Sequence, residues 1–251
     1  MKIMQFNIQH GAEFYHPQKK INLGLVASVI LQHKPDIVSL NEVRGVANSG
    51  PADPDYTNQT EELALLTGMT GYFAPAINIR GKGLYGNAML TRLPVVRSVD
   101  IPIPSPRDRY YAIHRYEDRC LLKAELDAGG KIVTLLSCHM GLNDDERVNA
   151  VITICSELEK IRTPVILMGD FNMTPDNTVL DPIKVRLHDT SLGFACENLC
   201  SFPTDRPDRK IDYIFVSEDF EVMNAEIHGT SASDHLPLTA DIKLKQLRKR
   251  R

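Results

Sequence analysis

Short apolar runs that end in one polar side chain recur along this chain. Lys2-Ile3-Met4-Gln5-Phe6-Asn7-Ile8 reads as a strand ending near Asn7, and Pro35 to Glu42 as another ending in Glu42. Ile132 to His139 ends in an imidazole, and Pro164 to Met168 runs through Gly169 into Asp170-Phe171-Asn172. Such β-branched runs fit strands buried on both faces. Strand periodicity puts residues i and i+2 on one side, so Asp170 and Asn172 share a pocket if the chain stays extended there. Gly169 leaves room for a backbone or ligand beside them. Further strands are predicted at 72–76, 84–91, 95–101, 120–127, 211–216, 221–228 and 236–244. Helical spacing appears over 21–32 (Ile21, Leu25, Val29), over 61–66 and from about Asp144 to Ile161, with a short helix after Pro175. The 144–161 helix opens on acids, which its dipole favours. Many strands with few helices predict two packed sheets with helices outside.

No Pro/Gly/Ser linker, composition shift or repeat divides the 251 residues, so a single domain over 1–251 is expected, with a basic tail from about 245. Hydrophobic content of 43% and charged content of 24% suit a globular chain with a large core. No apolar run reaches the roughly 18 residues of a membrane span. A strand begins almost at the first residue, so a cytoplasmic protein without a signal peptide is expected. The five cysteines, at 120, 138, 155, 196 and 200, are read as reduced thiols. A net charge of −3 argues against a broad nucleic-acid groove, and the absence of Trp removes the usual base-stacking platform. Nucleic acid therefore stays open as a partner without being favoured. Lys243, Lys245, Arg248, Lys249, Arg250 and Arg251 form the one basic cluster, read as a solvated tail.

The chemistry lies at the strand mouths. Glu42, with Asn7 beside it and Asp234 as a third donor, offers hard oxygens suited to Mg2+ or Mn2+, and no His/Cys cluster has zinc spacing. Asp212, inside the apolar strand Ile211 to Val216, is costly to bury unless partnered. An imidazole N–H is its natural partner, so Asp212 is assigned to orienting His235. His235 either polarises a phosphoryl oxygen as an imidazolium or acts as a base; sequence does not separate the two. Arg119 either clamps a phosphate with its planar fork or pairs with Glu117 or Asp118. Residues 45–59 and 102–118 are expected to form the pocket rim, with Arg107 and Arg109 facing phosphate.

The order Asn7, Glu42, His139, Gly169-Asp170-Phe171-Asn172, Asp212-Tyr213 and Ser233-Asp234-His235 resembles the endonuclease/exonuclease/phosphatase superfamily, over about residues 2–244. The similarity is greatest to small single-domain bacterial members, whose first motif also reads as Phe6 to Gly11 does here. The resemblance implies a four-layer α/β sandwich, two packed mixed β-sheets flanked by helices, with the site at one edge of the sheets. It implies a divalent-metal-dependent phosphoesterase, with Asp170 activating the nucleophile and Asn172 on the phosphate. His139 stands where some members place the imidazole that protonates the leaving group, and Asn87 is expected to line the pocket. A phosphodiester that is small or soluble is the expected substrate; a phosphomonoester, or a catalytically silent binding role, is the alternative. The oligomeric state is not legible.

Overall fold

The computed structural model describes residues 1–46, 57–79, 83–106, 113–193 and 199–245. Twelve strands are assigned within these: β1 (Lys2–Asn7), β2 (Ile37–Gly45), β3 (Thr70–Ile79), β4 (Gly83–Thr91), β5 (Val95–Ile103) and β6 (Arg119–Asp127), then β7 (Ile132–His139), β8 (Val165–Asp170), β9 (His188–Asp189), β10 (Asp212–Val216), β11 (Phe220–Ile227) and β12 (Leu238–Leu244). The helices are α1 (Leu23–His33), α2 (Gln59–Thr67), α3 (Asp144–Lys160) and the single turn α4 (Asp181–Lys184).

Local chemistry sets the helix ends. The Asn22 side chain accepts from the Leu25 N–H at the start of α1, and Lys34, left-handed at φ 51°, stops it before Pro35. In α3 the Asn143 side chain and Glu146 cap each other's backbone, and Asp144, Asp145 and Glu146 place negative charge in the first turn. The helix expected after Pro175 is a 3-10 turn, Thr178–Leu180, running into α4. The two-residue β9 was not anticipated, because a pair of polar residues carries no alternation to read.

The strands form two six-stranded sheets, ordered β11-β12-β1-β2-β4-β3 and β5-β6-β7-β8-β10-β9. The centre of each is a parallel pair, β1 with β2 and β7 with β8. Parallel neighbours need a crossover, supplied by α1 in one sheet and α3 in the other. Side-chain alternation then sorts the core into three apolar layers. Ile3, Ile37, Leu135, Ile166, Met168 and Ile214 pack between the sheets. Met4, Phe6, Val38 and Leu40 face Val26 and Ile30 of α1, while Leu136, Leu167 and Phe215 face Ala150 and Ile154 of α3. The result is helix, sheet, sheet, helix: the four-layer α/β sandwich.

The inward-facing series of each central strand changes character along its length. Ile3 gives way to Gln5 and Asn7, Ile37 to Ser39 and Asn41, Leu135 to Ser137 and His139, and Met168 to Asp170. All these polar positions are buried. One end of the inter-sheet space is therefore apolar, and the other is a layer of amides, hydroxyls, carboxylates and imidazoles.

Two glycines permit close strand approach. A Cβ on Gly169 would lie 2.1 Å from the Cys138 carbonyl oxygen, and one on Gly86 would lie 2.0 Å from that of Ala74. Gly86 faces Pro75 just before the register shift in β3. Gly86→Ala must push backbone against backbone, and is expected to destabilise by about 1–3 kcal/mol. A urea midpoint no lower than that of the parent would show that the bulge yields freely.

Candidate active site

A cavity of about 450 Å³ opens at the polar end of the sandwich, lined by Glu42, Arg119, His139, Asp170, Asn172, Asp234 and His235, with His10, Arg44, Tyr85, Phe202 and Arg209 around them. Residues from both sheets, from the loops beyond β1 and β8, and from the segments leading into β10 and β12 meet there. Asp170 ends β8 and is buried. Its Oδ2 accepts from Asn7 Nδ2 at 3.0 Å and its Oδ1 from the Asn172 N–H at 2.9 Å. His139 Nε2 and His235 Nε2 stand 3.5 and 3.7 Å from the same Oδ2. Behind His235, Asp212 Oδ2 binds Nδ1 at 2.7 Å and also accepts from Ser201 Oγ at 2.6 Å. Asp212 and His235 are thus in direct contact, with Asp212 outside the cavity.

The charges follow from these neighbours. Burial works against a charged His235, but Asp212 and Asp170, one on each ring nitrogen, outweigh it and raise its pKa. Burial and the nearby Asp212 charge raise that of Asp170. His139 is held well below the usual histidine range by burial and by Arg119.

Three residues adopt backbone conformations that strand periodicity would not predict. By alternation from Asn41, Glu42 would face the helix layer. Instead Glu42 sits at φ 59°, the β2–β4 register shifts between Leu40 and Val43, and the carboxylate turns to the cavity. His10, itself at φ 59°, donates from Nδ1 to the Glu42 carbonyl at 2.9 Å, so the turn is pinned from outside. The chain does not stay extended through Asn172 either. β8 stops at Asp170, and Asn172 reaches the cavity from φ 51°, its Nδ2 donating to the Met140 carbonyl at 3.0 Å. The extended-strand expectation fails because Asp170 Oδ1 captures the Asn172 N–H and curls the chain, which Asn tolerates. Among the described residues six non-glycines have positive φ, and four of them, Gln9, His10, Glu42 and Asn172, belong to the site or its support. Such strain persists where the surroundings over-determine it.

Asn7 and Asn87 have surroundings that the sequence does not show. Asn7, read as a metal ligand, turns Nδ2 towards Glu42 Oε1 at 3.2 Å and Asp170 Oδ2 at 3.0 Å, while its Oδ1 accepts from the Gln9 N–H at 3.1 Å. In this arrangement Asn7 bridges Glu42 and Asp170. Asn87, read as lining the pocket, is buried behind it, with Oδ1 accepting from Asn41 and Nδ2 donating to the Cys120 carbonyl. Both ends of that amide are committed. Arg119 pairs one prong with Glu117 at 3.0 Å, and its side chain is buried at the cavity wall. Arg107, Arg109, most of 45–59 and the tail beyond 245 lie outside the described residues.

Glu42 and Asp234 remain as the oxygen donors for a cation. Burial raises the Glu42 pKa and the Asp234 charge raises it further. A buried carboxylate whose charge is penalised by a second carboxylate at the cavity wall fits a hard divalent ion, which would relieve it.

Sequence reading missed Gln5, Asn41 and the rim. Asn41 is buried and binds on every side: Oδ1 accepts from Gln5 Nε2 at 2.7 Å and the Asp170 N–H at 2.9 Å, and Nδ2 donates to Asn87 Oδ1 and the Cys138 carbonyl. Its signal was the one used for Asp212, a polar residue within an apolar strand. Phe202 lies 4.7 Å from the His235 ring, and the Arg209 guanidinium lies 4.5 Å from the centre of the Phe202 ring.

Fold and site together define an α/β sandwich with a carboxylate–imidazole centre at the polar edge of its two sheets. The model of the Endonuclease/Exonuclease/phosphatase family matches residues 4–235, and the chain belongs to that family. Its members are generally phosphoester hydrolases and typically depend on a divalent metal. Among solved structures, an endonuclease/exonuclease/phosphatase from Beutenbergia cavernae is similar at 24% identity and a TM-score of 0.80, over 97% of this chain and 71% of that one. One from Bacteroides vulgatus is similar at 21% and 0.74, over 97% and 98%. The mannosyl-6-phosphatase Bt3783 of Bacteroides thetaiotaomicron is similar at 16% and 0.75, over 97% and 100%. At these identities the likenesses show the fold alone. No curated protein matches the chain. Among the described residues, no helix is long and apolar enough to cross a membrane.

Truncating Asn41 would strand the Asp170 N–H, the Gln5 amide and the Cys138 carbonyl. Asn41→Ala is expected to cost about 3 kcal/mol, since a buried unpaired polar group costs about 1–3 kcal/mol. A denaturant titration showing less than about 0.5 kcal/mol of loss would mean the partners rearrange and that Asn41 does not hold the site.

Proposed function

We propose that this protein is a divalent-metal-dependent phosphodiesterase, hydrolysing a P–O bond of a small, soluble ester by in-line attack of water. The observation that carries this reading is the placement of Asp170 between His139 and His235, in one cavity with Glu42 and Asp234. Phosphate esters resist hydrolysis because their anionic oxygens repel the nucleophile, so charge neutralisation and an activated water are both required.

Glu42 and Asp234 would hold Mg2+ or Mn2+, which when bound neutralises phosphoryl charge. Asp170 takes the proton from the attacking water. Its raised affinity for protons, caused by burial and Asp212, suits a base. Asn7 and the Asn172 N–H hold the carboxylate in place, so the oxygen that receives the proton does not wander. His235, kept charged by Asp212 and Asp170, donates from Nε2 to an oxygen of the phosphoryl group. Asn172 offers its amide to another. Ile77, Ile79, Leu142, Phe202 and Ile211 supply the apolar part of the wall, where the ester substituent would lie. A cavity of about 450 Å³ admits a substituent of small-molecule size.

The test is hydrolysis of bis-p-nitrophenyl phosphate against p-nitrophenyl phosphate, with Mg2+, Mn2+ or EDTA. Metal-dependent release from the diester is expected, with Asp170→Asn and His235→Ala each losing about 10²–10⁴-fold. Glu42→Ala is expected to weaken metal binding by calorimetry. Release from the monoester alone would move the reading to a phosphatase. Full turnover in either catalytic variant would overturn the assigned roles.

A further inference from the structure

Arg119 reaches a part of His139 that the mechanism above leaves unused. Its NH1 lies 3.0 Å from His139 Nδ1, and its NH2 lies 3.0 Å from Glu117 Oε2. Both Arg119 and His139 are buried. At the other ring nitrogen, Nε2 is 3.2 Å from Asn172 Nδ2 and 3.5 Å from Asp170 Oδ2. Two donors therefore approach a ring that, when neutral, has a single bare nitrogen. A guanidinium keeps its protons throughout the working range, and its fork is fixed at the far prong by Glu117. The Asn172 amide already donates to Met140. The charged donor decides the contest: Nδ1 is the acceptor, and the ring proton resides on Nε2, facing the cavity and Asp170. Turning the ring over would set a carbon against the guanidinium and lose the bond.

We propose that Arg119 is a positioning residue that locks His139 as its Nε2–H tautomer, so that His139 donates a hydrogen bond to a phosphoryl oxygen and does not protonate the leaving group. The second half of that statement rests on the phosphoesterase reading; the tautomer does not. A further proton would have to enter at Nδ1, against the guanidinium. The charged and titratable groups around the ring are Arg119 from β6, His235 from the segment before β12, His10 from the turn after β1, and Asp170 from β8. Arg119 and His235 are cations, His10 is kept neutral by burial and Arg44, and Asp170 is the one carboxylate. Giving up the Nε2 proton instead would leave an imidazolate, so the ring serves as a fixed dipole and not as a proton source. A carboxylate at Nδ1 would have done the opposite, favouring the imidazolium that a general acid needs. The leaving-group role expected from the resemblance is thereby reassigned.

The test begins on the metal-free, full-length protein labelled with 15N in histidine, with His139 assigned by the signal missing from His139→Gln. Long-range 1H–15N correlation should show Nε2 protonated and Nδ1 bare, unchanged from about pH 5 to 8. Arg119→Lys, which keeps a cationic donor, should retain that signature, whereas Arg119→Met should lose it. A protonated Nδ1, or a ring that becomes imidazolium within this range in the parent protein, would overturn the proposal whatever the enzyme does. The kinetic arm compares His139→Gln on a diester with a nitrophenolate leaving group and on one with an alkoxide leaving group. A fixed donor predicts equal losses on both, about 10²-fold or more. A loss confined to the alkoxide would restore the general acid and sink the proposal. Absence of turnover by the parent on either diester would count against the phosphodiesterase reading and leave the tautomer to the spectra.

Discussion

The geometry of this molecule depends on a hydrogen-bonded seam between its two sheets. Apolar side chains fill most of the inter-sheet space, where any close-packed set of the right volume serves. At the mouth end the same inward positions carry Gln5, Asn7, Ser39, Asn41, Asn87, Ser137, Asp170 and Asp212, all buried. Polar groups removed from water must find partners. Here they find them across the gap: Ser39 with Ser137, Gln5 with Asp212, Asn7 with Asp170, and Asn41 with the Asp170 N–H and the Cys138 carbonyl. Hydrogen bonds are directional where apolar packing is not. The seam therefore fixes one sheet's position relative to the other at the end where the chemistry is placed.

That rigidity has a local use. Glu42, His10, Gln9 and Asn172 hold backbone conformations that cost about 1–3 kcal/mol each at non-glycine positions. Each is over-determined by the bonds around it. Gln9 donates to Asp234, His10 to the Glu42 carbonyl, and the Asn172 N–H to Asp170. The strained turns and the seam share members, Asn7 and Asp170 above all. On the proposed reading, a substrate would meet charges already in position, with little reorganisation left for the reaction.

Much of this was legible in the sequence because a strand's period is two. Asp212 stood out as an acid in an apolar run, and the strand mouths at Glu42, His139 and Asp170 were visible as places where such runs stop. The helices were readable from spacing and caps. What escaped was whatever depended on pairing across the gap. Gln5 and Asn41 lie on the inward face, yet their partners come from strands 97 to 207 residues away in the chain: Asp212 for Gln5, the Cys138 carbonyl and the Asp170 N–H for Asn41. Conformation escaped too. Alternation alone would have sent Glu42 to the wrong face, and only the left-handed turn at that residue brings it back. Asn7 stands beside Glu42, but the hydrogen bonds of its amide, to Glu42 and from the Gln9 N–H, were not legible.

The division of labour around the cavity follows from the same architecture. Reacting groups sit on strand ends tied into the seam, so their spacing is set by the sheets. Phe202 and Arg209 belong to the segment leading into β10, and Leu142 to the turn before α3, where exchange of side chains leaves the seam untouched. Arg119 stands at the boundary: it opens a strand, touches the chemistry through His139, and is anchored by Glu117 from the connecting segment. On the proposed reading, an imidazole whose tautomer is set by a residue at that boundary can change its role without any change in the strands that hold it.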